Sequence, residues 1–541
     1  MGHGVEAGRV AQGARRTGRG GAAACAGSAL ALLLSGCTVG PNYRALSARA
    51  LAAPDRFAAE TLPGTAPAGA AELAQWWTAL EDPVLDGLIG DAIAASPDIA
   101  AAGARLRVAR GAARTARAAL LPALTGSASA GRSELLGSGS HALVTLPGAS
   151  TATSIATGGS TTTLDADLDA SYEVDLFGGV RRSVQAARAD EADAAESLRD
   201  TQRSVVAEVA LDYVVARSAQ ERLAIARSNL RSQDDTVQIV GWRVQAGLVS
   251  GLDLAQARAQ REQTAATIPT YQTSFTQAAT AIGILIGQTT GRVSDRLQPP
   301  SGVPLADRVL GGDVPAAVLA RRPDVRAAER SLAAATARIG VAKAQLYPAL
   351  RLTGSLSGSG NSFSDLSTYA IGTVLAAVSA PIFDGGAIRG QIEQARGNAD
   401  VALATYRTTV LTALGDVENA MAALANTRTR EVTLAMAVDD SRNALLLAQN
   451  QYRAGLVDFQ TLLDAERTLL TSEDGLASAR ADRASALIQL YKALGGGWQS
   501  APIPDSALPG RPAMIERPDI SADRAAPGPA APPASSPTGS P

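Results

Sequence analysis

Histidine and cysteine are almost missing from this sequence. Only His3 and His141 occur, with Cys25 and Cys37. Thiol chemistry, histidine–metal sites and Ser-His hydrolysis therefore have no material, so neither an enzyme nor a resident metal or cofactor is expected. His141 lies in a Gly/Ser/Thr-rich stretch and reads as a solvated loop residue. Aromatic residues are scarce as well, at 4%, while Ala and Gly are plentiful, which implies close helix packing through small side chains. Net charge is −2, so bulk electrostatics do not point to nucleic acid. Downstream of the N-terminal segment no apolar run reaches the roughly 18 residues of a membrane helix. If the chain crosses a membrane, it does so as a barrel.

Proline is absent from two long runs, and those runs organise the chain. The first opens Gly178-Gly179-Val180-Arg181 and closes Ala246-Gly247-Leu248-Val249. The second opens Gly385-Gly386-Ala387 and closes Ala454-Gly455-Leu456-Val457. Both are rich in Ala, Arg, Glu, Gln and Leu, good helix formers. In the second, Leu403, Tyr406, Val410, Val417, Met421 and Leu424 keep a heptad spacing with one position skipped. The expected helices, about 179–246 and 386–454, would each be about 100 Å long. After each Ala-Gly-Leu-Val tip the chain turns back into a shorter helix, about 252–286 and 461–494. A second shorter helix lies between paired prolines, Pro97 to Pro122 and Pro323 to Pro348. The order Pro-Asp, helix, Pro, strands, Gly-Gly, long helix, tip, return helix thus occurs twice, a tandem duplication covering 71–287 and 321–498. The connector 288–320, with Pro299-Pro300, Pro304 and Pro315, is expected to wrap the bundle near mid-height.

The N-terminus reads as a targeting segment. Arg9, Arg15, Arg16 and Arg19 precede the apolar stretch Ala22 to Leu34, and Leu34-Ser35-Gly36-Cys37 has the small residues of a lipoprotein cleavage site. Residues 1–36 are read as signal and Cys37 as the lipid attachment point. Thr38, rather than Asp, after that cysteine fits outer-membrane sorting. Residues 37–70, Ala/Pro/Gly rich, read as a tether, and 499–541 as a disordered tail. Trp76 and Trp77 read as packing residues.

Between each proline and its di-glycine the period changes to two. Leu164, Ala166, Leu168, Ala170, Tyr172 and Val174 alternate with Asp165, Asp167, Asp169, Ser171, Glu173 and Asp175. A soluble sheet would alternate too, but an almost wholly acidic polar face suits a water-filled lumen. That strand is expected to pair with Leu124 to Glu134 in a hairpin over about 124–175, and Leu350–Ser357 with Ile371–Ile382 in a second over 350–382. The Gly/Ser run Gly354 to Gly360 lacks the context of a phosphate cradle and reads as a loop. Phe177 and Phe383, where strand becomes helix, are expected to form an interfacial girdle. Four strands cannot close a membrane barrel, because the smallest have eight.

Cys37-Thr38-Val39-Gly40-Pro41-Asn42-Tyr43, Ala320-Arg321-Arg322-Pro323-Asp324, Pro381-Ile382-Phe383-Asp384-Gly385-Gly386, Leu462-Leu463-Asp464-Ala465 and Tyr491 to Trp498 resemble the TolC-like outer-membrane factors, in their NodT-type lipoprotein branch. The resemblance covers about residues 37 to 498. It implies a mainly α fold with a small β part. Three copies would form a 12-stranded outer-membrane β-barrel continued by a long periplasmic α-helical barrel. It also implies a passive exit duct for small toxic compounds or drugs, served by a periplasmic adaptor (membrane fusion protein) and an inner-membrane RND transporter. A type I protein-secretion duct and a coiled-coil adaptor lipoprotein are the rival readings; the doubled hairpins and the acidic strand disfavour the adaptor. The tips Gly247-Leu248-Val249 and Gly455-Leu456-Val457 would dock the adaptor. Asp464 would line the periplasmic aperture, with Arg453 or Arg467 as its nearest cations. Gln460 stands where relatives often carry a bulky apolar residue, so polar contacts are expected to carry more of the closure. Asp165, Asp167, Asp169, Glu173 and Asp175 would line the barrel lumen.

Overall fold

A computed structural model describes residues 38–498 apart from 52–53, 58–64, 67–69, 135–142, 145–152, 155–159, 307–308, 311–314 and 369. The signal, Cys37, His3, His141 and the tail 499–541 lie outside the described residues.

The duplicated order is present. Helices α1 (Pro83–Ala95) and α2 (Pro97–Ala118) lead into strands β1 (Ala123–Glu134) and β2 (Ser160–Val174), then α3 (Gly179–Gln245) and α4 (Gly251–Ile286). The second repeat gives α5 (Pro323–Ala344), strands β3 (Ala349–Gly360) and β4 (Ala370–Ser379), then α6 (Ala387–Arg453) and α7 (Phe459–Ala493). Proline at the first helical position explains where α1, α2 and α5 begin. Asp82 caps α1 by accepting from Val84 N at 2.9 Å and Leu85 N at 3.2 Å. Each long helix packs against two shorter ones: α3 against α2 and α4, and α6 against α5 and α7. Helix α3 also packs against α5 and α7, which joins the repeats. The α6 seam is real: Tyr406, Val410, Val417 and Leu424 are buried, with Leu403 and Met421 half-buried.

Both long helices start after a left-handed glycine, Gly178 (φ +81°) and Gly386 (φ +92°). Neither glycine can cap with a side chain, so an upstream acid does it. Asp384 accepts from Gly386 N at 2.9 Å and Ile388 N at 2.8 Å. Asp175 accepts from Val180 N at 3.2 Å, Arg181 N at 2.9 Å and Arg181 Nε at 3.1 Å. This corrects the expectation for Asp175. The strand ends at Val174, and the carboxylate is spent on the positive end of α3 instead of lining a lumen.

The four strands form one antiparallel sheet in the order β1-β2-β3-β4. Asp165, Asp167 and Asp169 lie on one face, opposite Ser129, Ser127 and Thr125 of β1 and Ser359, Ser357 and Ser355 of β3. Ser129 Oγ donates to Asp165 Oδ2 at 3.2 Å. The other face is apolar and open: Leu124, Leu168, Leu352, Leu356, Val374 and Val378 are all exposed. Gly354 to Gly360 is strand, not loop. Its backbone pairs with β2 on one side and, through Gly358, with β4 on the other, so its hydrogen bonds do not depend on side chains. β2 also begins earlier than expected, at Ser160. The two phenylalanines differ: Phe177 stacks on Tyr347 at 4.6 Å, whereas Phe383 is 92% exposed.

Two regions hold more structure than composition suggested. The tether is a strap. Tyr43 donates to Glu329 Oε1 at 3.1 Å, and Tyr43, Leu46, Leu51 and Phe57 join a cluster with Leu319, Val325, Leu332, Tyr406 and Val410 in the α5/α6 groove. Its scattered apolar residues were masked by the surrounding Ala, Pro and Gly. The connector contains short helices at Thr290–Arg296 and Pro315–Arg321. It is fastened to α3 by buried Arg217, which donates to Leu297 O at 2.9 Å and Pro299 O at 3.2 Å. Trp76, 1% exposed, packs on Trp77 at 5.9 Å and on Tyr491 at 5.4 Å, so both tryptophans are core residues as expected.

Arg322 closes the end of α7. It is 3% exposed and donates to Asp324 Oδ2 at 2.6 Å, Asp416 Oδ2 at 3.0 Å and Ala493 O at 3.1 Å. Burial alone would raise the Asp324 carboxyl. The hydrogen bond from Arg322 and the charges of Arg203 and Arg322 outweigh it and hold Asp324 below the usual carboxylate range. The stability this confers is therefore complete above the ordinary carboxylate range and lost as pH falls through the depressed value. Arg322→Met is expected to cost about 1.5–3 kcal/mol by removing the nearer of the two arginines on Asp324, with Arg203 remaining at 3.4 Å. A thermal melt followed by circular dichroism checks this, and an unchanged midpoint would refute it.

Candidate functional site

The end of α3 and the end of α6 are built alike. At the first, Gly247 N donates to Val244 O at 3.0 Å and Leu248 N to Arg243 O at 2.9 Å. At the second, Gly455 N donates to Tyr452 O at 3.0 Å and Leu456 N to Gln451 O at 2.9 Å. This double bond closes a helix through a left-handed residue, and Gly247 (φ +69°) and Gly455 (φ +73°) supply it. The next helices start on side-chain caps. Ser250 Oγ accepts from Asp253 N at 3.4 Å, and Asp458 Oδ1 accepts from Thr461 N at 2.9 Å. Hydrogen bonds from the Thr461 hydroxyl and N–H hold Asp458 below the usual carboxylate range.

Leu and Val at the tips have different fates. Leu248 is 72% and Leu456 76% exposed. Val249 and Val457 instead pack against a cluster containing Val240, Tyr452, Phe459, Leu462 and Leu463. That cluster joins both hairpins into one apolar base beneath two exposed leucines. Arg243 bolts it: Nη2 donates to Tyr452 O at 3.0 Å and Arg453 O at 3.1 Å, with the guanidinium 4.4 Å from the Tyr452 ring centroid. Sequence reasoning missed Arg243. A basic residue in a last helical turn is visible, but its target on the other hairpin is not.

Asp464 lies on α7 and is exposed, its side chain at 61%. Gln460 Nε2 donates to its Oδ1 at 2.9 Å, and Arg467 Nη1 lies 3.8 Å from the same oxygen. Of the two expected cations, Arg467 is thus the one beside it, and Arg467 is shared with Gln260 Oε1 at 2.6 Å. Arg453 instead lines a 300 Å³ recess with Asp235 and Gln449. Other positions along α7 are firmly tied to α3 and α4. Arg222 forks onto Asp474 with two bonds of 2.7 Å, and Tyr271 donates to Asp474 Oδ1 at 2.8 Å. Buried Glu466 accepts from Thr236 Oγ1 at 2.6 Å; burial pushes its carboxyl up, and that bond tempers the rise. These ties were not legible in the sequence, since their partners are some 200 residues or more apart. On the sheet, Asp165, Asp167, Asp169 and Glu173 occupy one face of β2, well removed along the sequence from both tips. Among the described residues no cluster of side chains could hold a metal ion, and no helix is long and apolar enough to cross a membrane.

An exposed apolar sheet with an acidic reverse, set on paired helical hairpins, is the make-up of a membrane channel protein. The family described as outer membrane efflux protein matches residues 88–288 and 314–496, and the chain belongs to that family. It is similar to the pyoverdine export outer membrane protein OpmQ of Pseudomonas putida, with 35% identity over 442 residues, 79% of this chain and 88% of the relative. Nodulation protein T of Rhizobium leguminosarum bv. trifolii is 30% identical over 472 residues, covering 86% and 96%. Among solved structures, the outer-membrane channel OprN superposes with a TM-score of 0.75 at 35% identity, covering 86% of this chain and 100% of that one. The open state of the Neisseria gonorrhoeae MtrE outer membrane channel gives a TM-score of 0.69 at 28% identity, covering 85% and 99%. The protein is an efflux channel of the outer membrane.

Proposed function

We propose that three copies of this chain form the exit duct of a tripartite pump. The observation that carries the reading is the four-stranded sheet, whose apolar face is exposed and whose acids share the reverse. Alone it is too small to close, and three copies supply about twelve strands, enough for a water-filled barrel. Val401, Leu411, Val432, Met436, Leu446 and Leu447 are exposed along α6 and supply apolar surface for packing between copies. In that assembly Asp165, Asp167, Asp169 and Glu173 line the lumen, Asp464 and Gln460 ring the periplasmic mouth, and the six tips meet a periplasmic adaptor. The adaptor links the duct to an inner-membrane RND transporter, which supplies the energy. Because relatives are named for pyoverdine export and toluene efflux, small toxic organic compounds are the proposed cargo. A deletion strain complemented with the gene tests this. Restored solvent and drug tolerance, with a heat-labile trimer in the outer-membrane fraction, is expected. A monomer in that fraction, or tolerance unaffected by the deletion, would overturn it.

Cys37 is proposed to carry lipid. A single lipid anchor adds only modest binding beside an inserted barrel. Cys37→Ser, supplied with an ordinary signal peptide, is therefore expected to lose acylation yet still reach the outer membrane as a trimer. Mass spectrometry of the N-terminal peptide and unheated gels check it. Complete loss of trimer would show that the lipid governs assembly.

A further inference from the structure

The strap is held hardest at its first residues, where the chain leaves Cys37. Val39 N donates to Phe177 O at 3.1 Å, just ahead of α3. Arg182, in the first turn of α3 and 2% exposed, donates through Nε to Val39 O at 3.1 Å and through Nη2 to Gly40 O at 3.0 Å. Its Nη1 donates to Gln185 Oε1 at 2.8 Å. All three acceptors are neutral oxygens. A buried guanidinium is tolerated only when such bonds replace its water, so its position depends on the strap being in place.

The strap is also threaded sterically. Gly40 has φ +100°, and a Cβ added there would lie 2.5 Å from the Cα of Gly340 on α5. A Cβ on Gly340 would in turn lie 2.8 Å from Arg182 Cγ. A Cβ on Gly178 would meet Thr38 Cγ2 at 2.7 Å. Residues 38–40 therefore occupy the seam between α3 of the first repeat and α5 of the second, at the level where strand gives way to helix. Tyr43 pins the strap a second time, on Glu329.

We infer that Arg182 is a positioning residue that locks the strap into the seam between the repeats, and so plants whatever is attached at Cys37 beside the strand–helix junction. For the attached group to be a lipid, the inference rests on the reading of Cys37 given above; the lock does not.

Arg44 lies exposed immediately after the second pin, which gives a direct readout of the release of the strap. Full-length protein in lipid nanodiscs is treated with trypsin, and the rate of cleavage after Arg44 is followed by mass spectrometry. A protease needs the segment to open, so the rate follows the open population. Arg182→Ala is expected to raise it at least about tenfold, as the loss of even one hydrogen bond from a charged group would. Gly40→Val, which breaks the threading while leaving the arginine side chain itself unaltered, is expected to do the same, and Arg182→Lys to fall between. Heat stability of the assembled protein is expected to hold in all three. Wild-type rates in Arg182→Ala and Gly40→Val would overturn the lock. So would a loss of heat stability matching the gain in cleavage, because Arg182 would then hold the whole fold rather than the strap. The mass of the released N-terminal fragment reports separately on acylation: an unmodified Cys37 would overturn the lipid reading alone.

Discussion

Leu248→Asp combined with Leu456→Asp is expected to abolish efflux, reducing tolerance to that of a deletion strain, while the trimer remains intact on unheated gels. Both leucines are more than two-thirds exposed, at 72% and 76%, and make no contribution to the apolar cluster beneath them. Folding therefore has little to lose. Docking has much to lose, because an uncompensated charge buried at an interface costs about 3–5 kcal/mol, and a trimer repeats it at six tips. Val249 and Val457 provide the contrast. They pack into the cluster, so charging them is expected to destabilise the tips themselves. Tolerance unchanged in the leucine double variant would show that the tips are not the docking surface.

Asp464→Asn is expected to raise the conductance of purified channels in planar bilayers and to remove block by trivalent cations added from the periplasmic side. In the protomer the Asp464 carboxylate accepts a hydrogen bond from Gln460 and has a partly exposed arginine at 3.8 Å that is shared with Gln260. Such an exposed pair is worth at most about 1 kcal/mol, so most of the carboxylate's charge is left to act outward. Three such charges around a symmetry axis form a site for multivalent cations. The other ties of α7, Arg222 to Asp474 and Thr236 to Glu466, do not involve Asp464, so the substitution is expected to leave the helix in place. Conductance and block both as in wild type would remove Asp464 from the aperture and turn attention to Asp458.

Much of the fold could be read directly. Heptad spacing, di-glycine starts and Ala-Gly-Leu-Val ends placed the long helices to within a residue or so, because helix propensity and capping act over a few neighbouring residues. Alternation placed β2 and the first part of β3, since a period of two is also local, and β1 and β4 followed as their hairpin partners. Asp175 shows the limit. It continues the alternation of β2, yet the di-glycine that follows leaves α3 without a side-chain cap, and the acid turns to fill that need. Gly354 to Gly360 shows another. Its composition suits a loop, but neighbouring strands supply the hydrogen bonds that hold it extended.

The sequence by itself determined the duplication, the long-helix boundaries, the existence of the strands, the tips and the membrane-channel family, because each is written in residues close together along the chain. Only the tertiary structure decided that β2 and β3 join the two hairpins, that the tether is a strap in the α5/α6 groove, and that Arg182, Arg217, Arg243 and Arg322 are buried or cross-linking rather than solvated. An arginine looks the same in sequence whether water or a distant carbonyl accepts its hydrogen bonds. Which of the two it meets is settled by packing between segments that lie far apart in the chain.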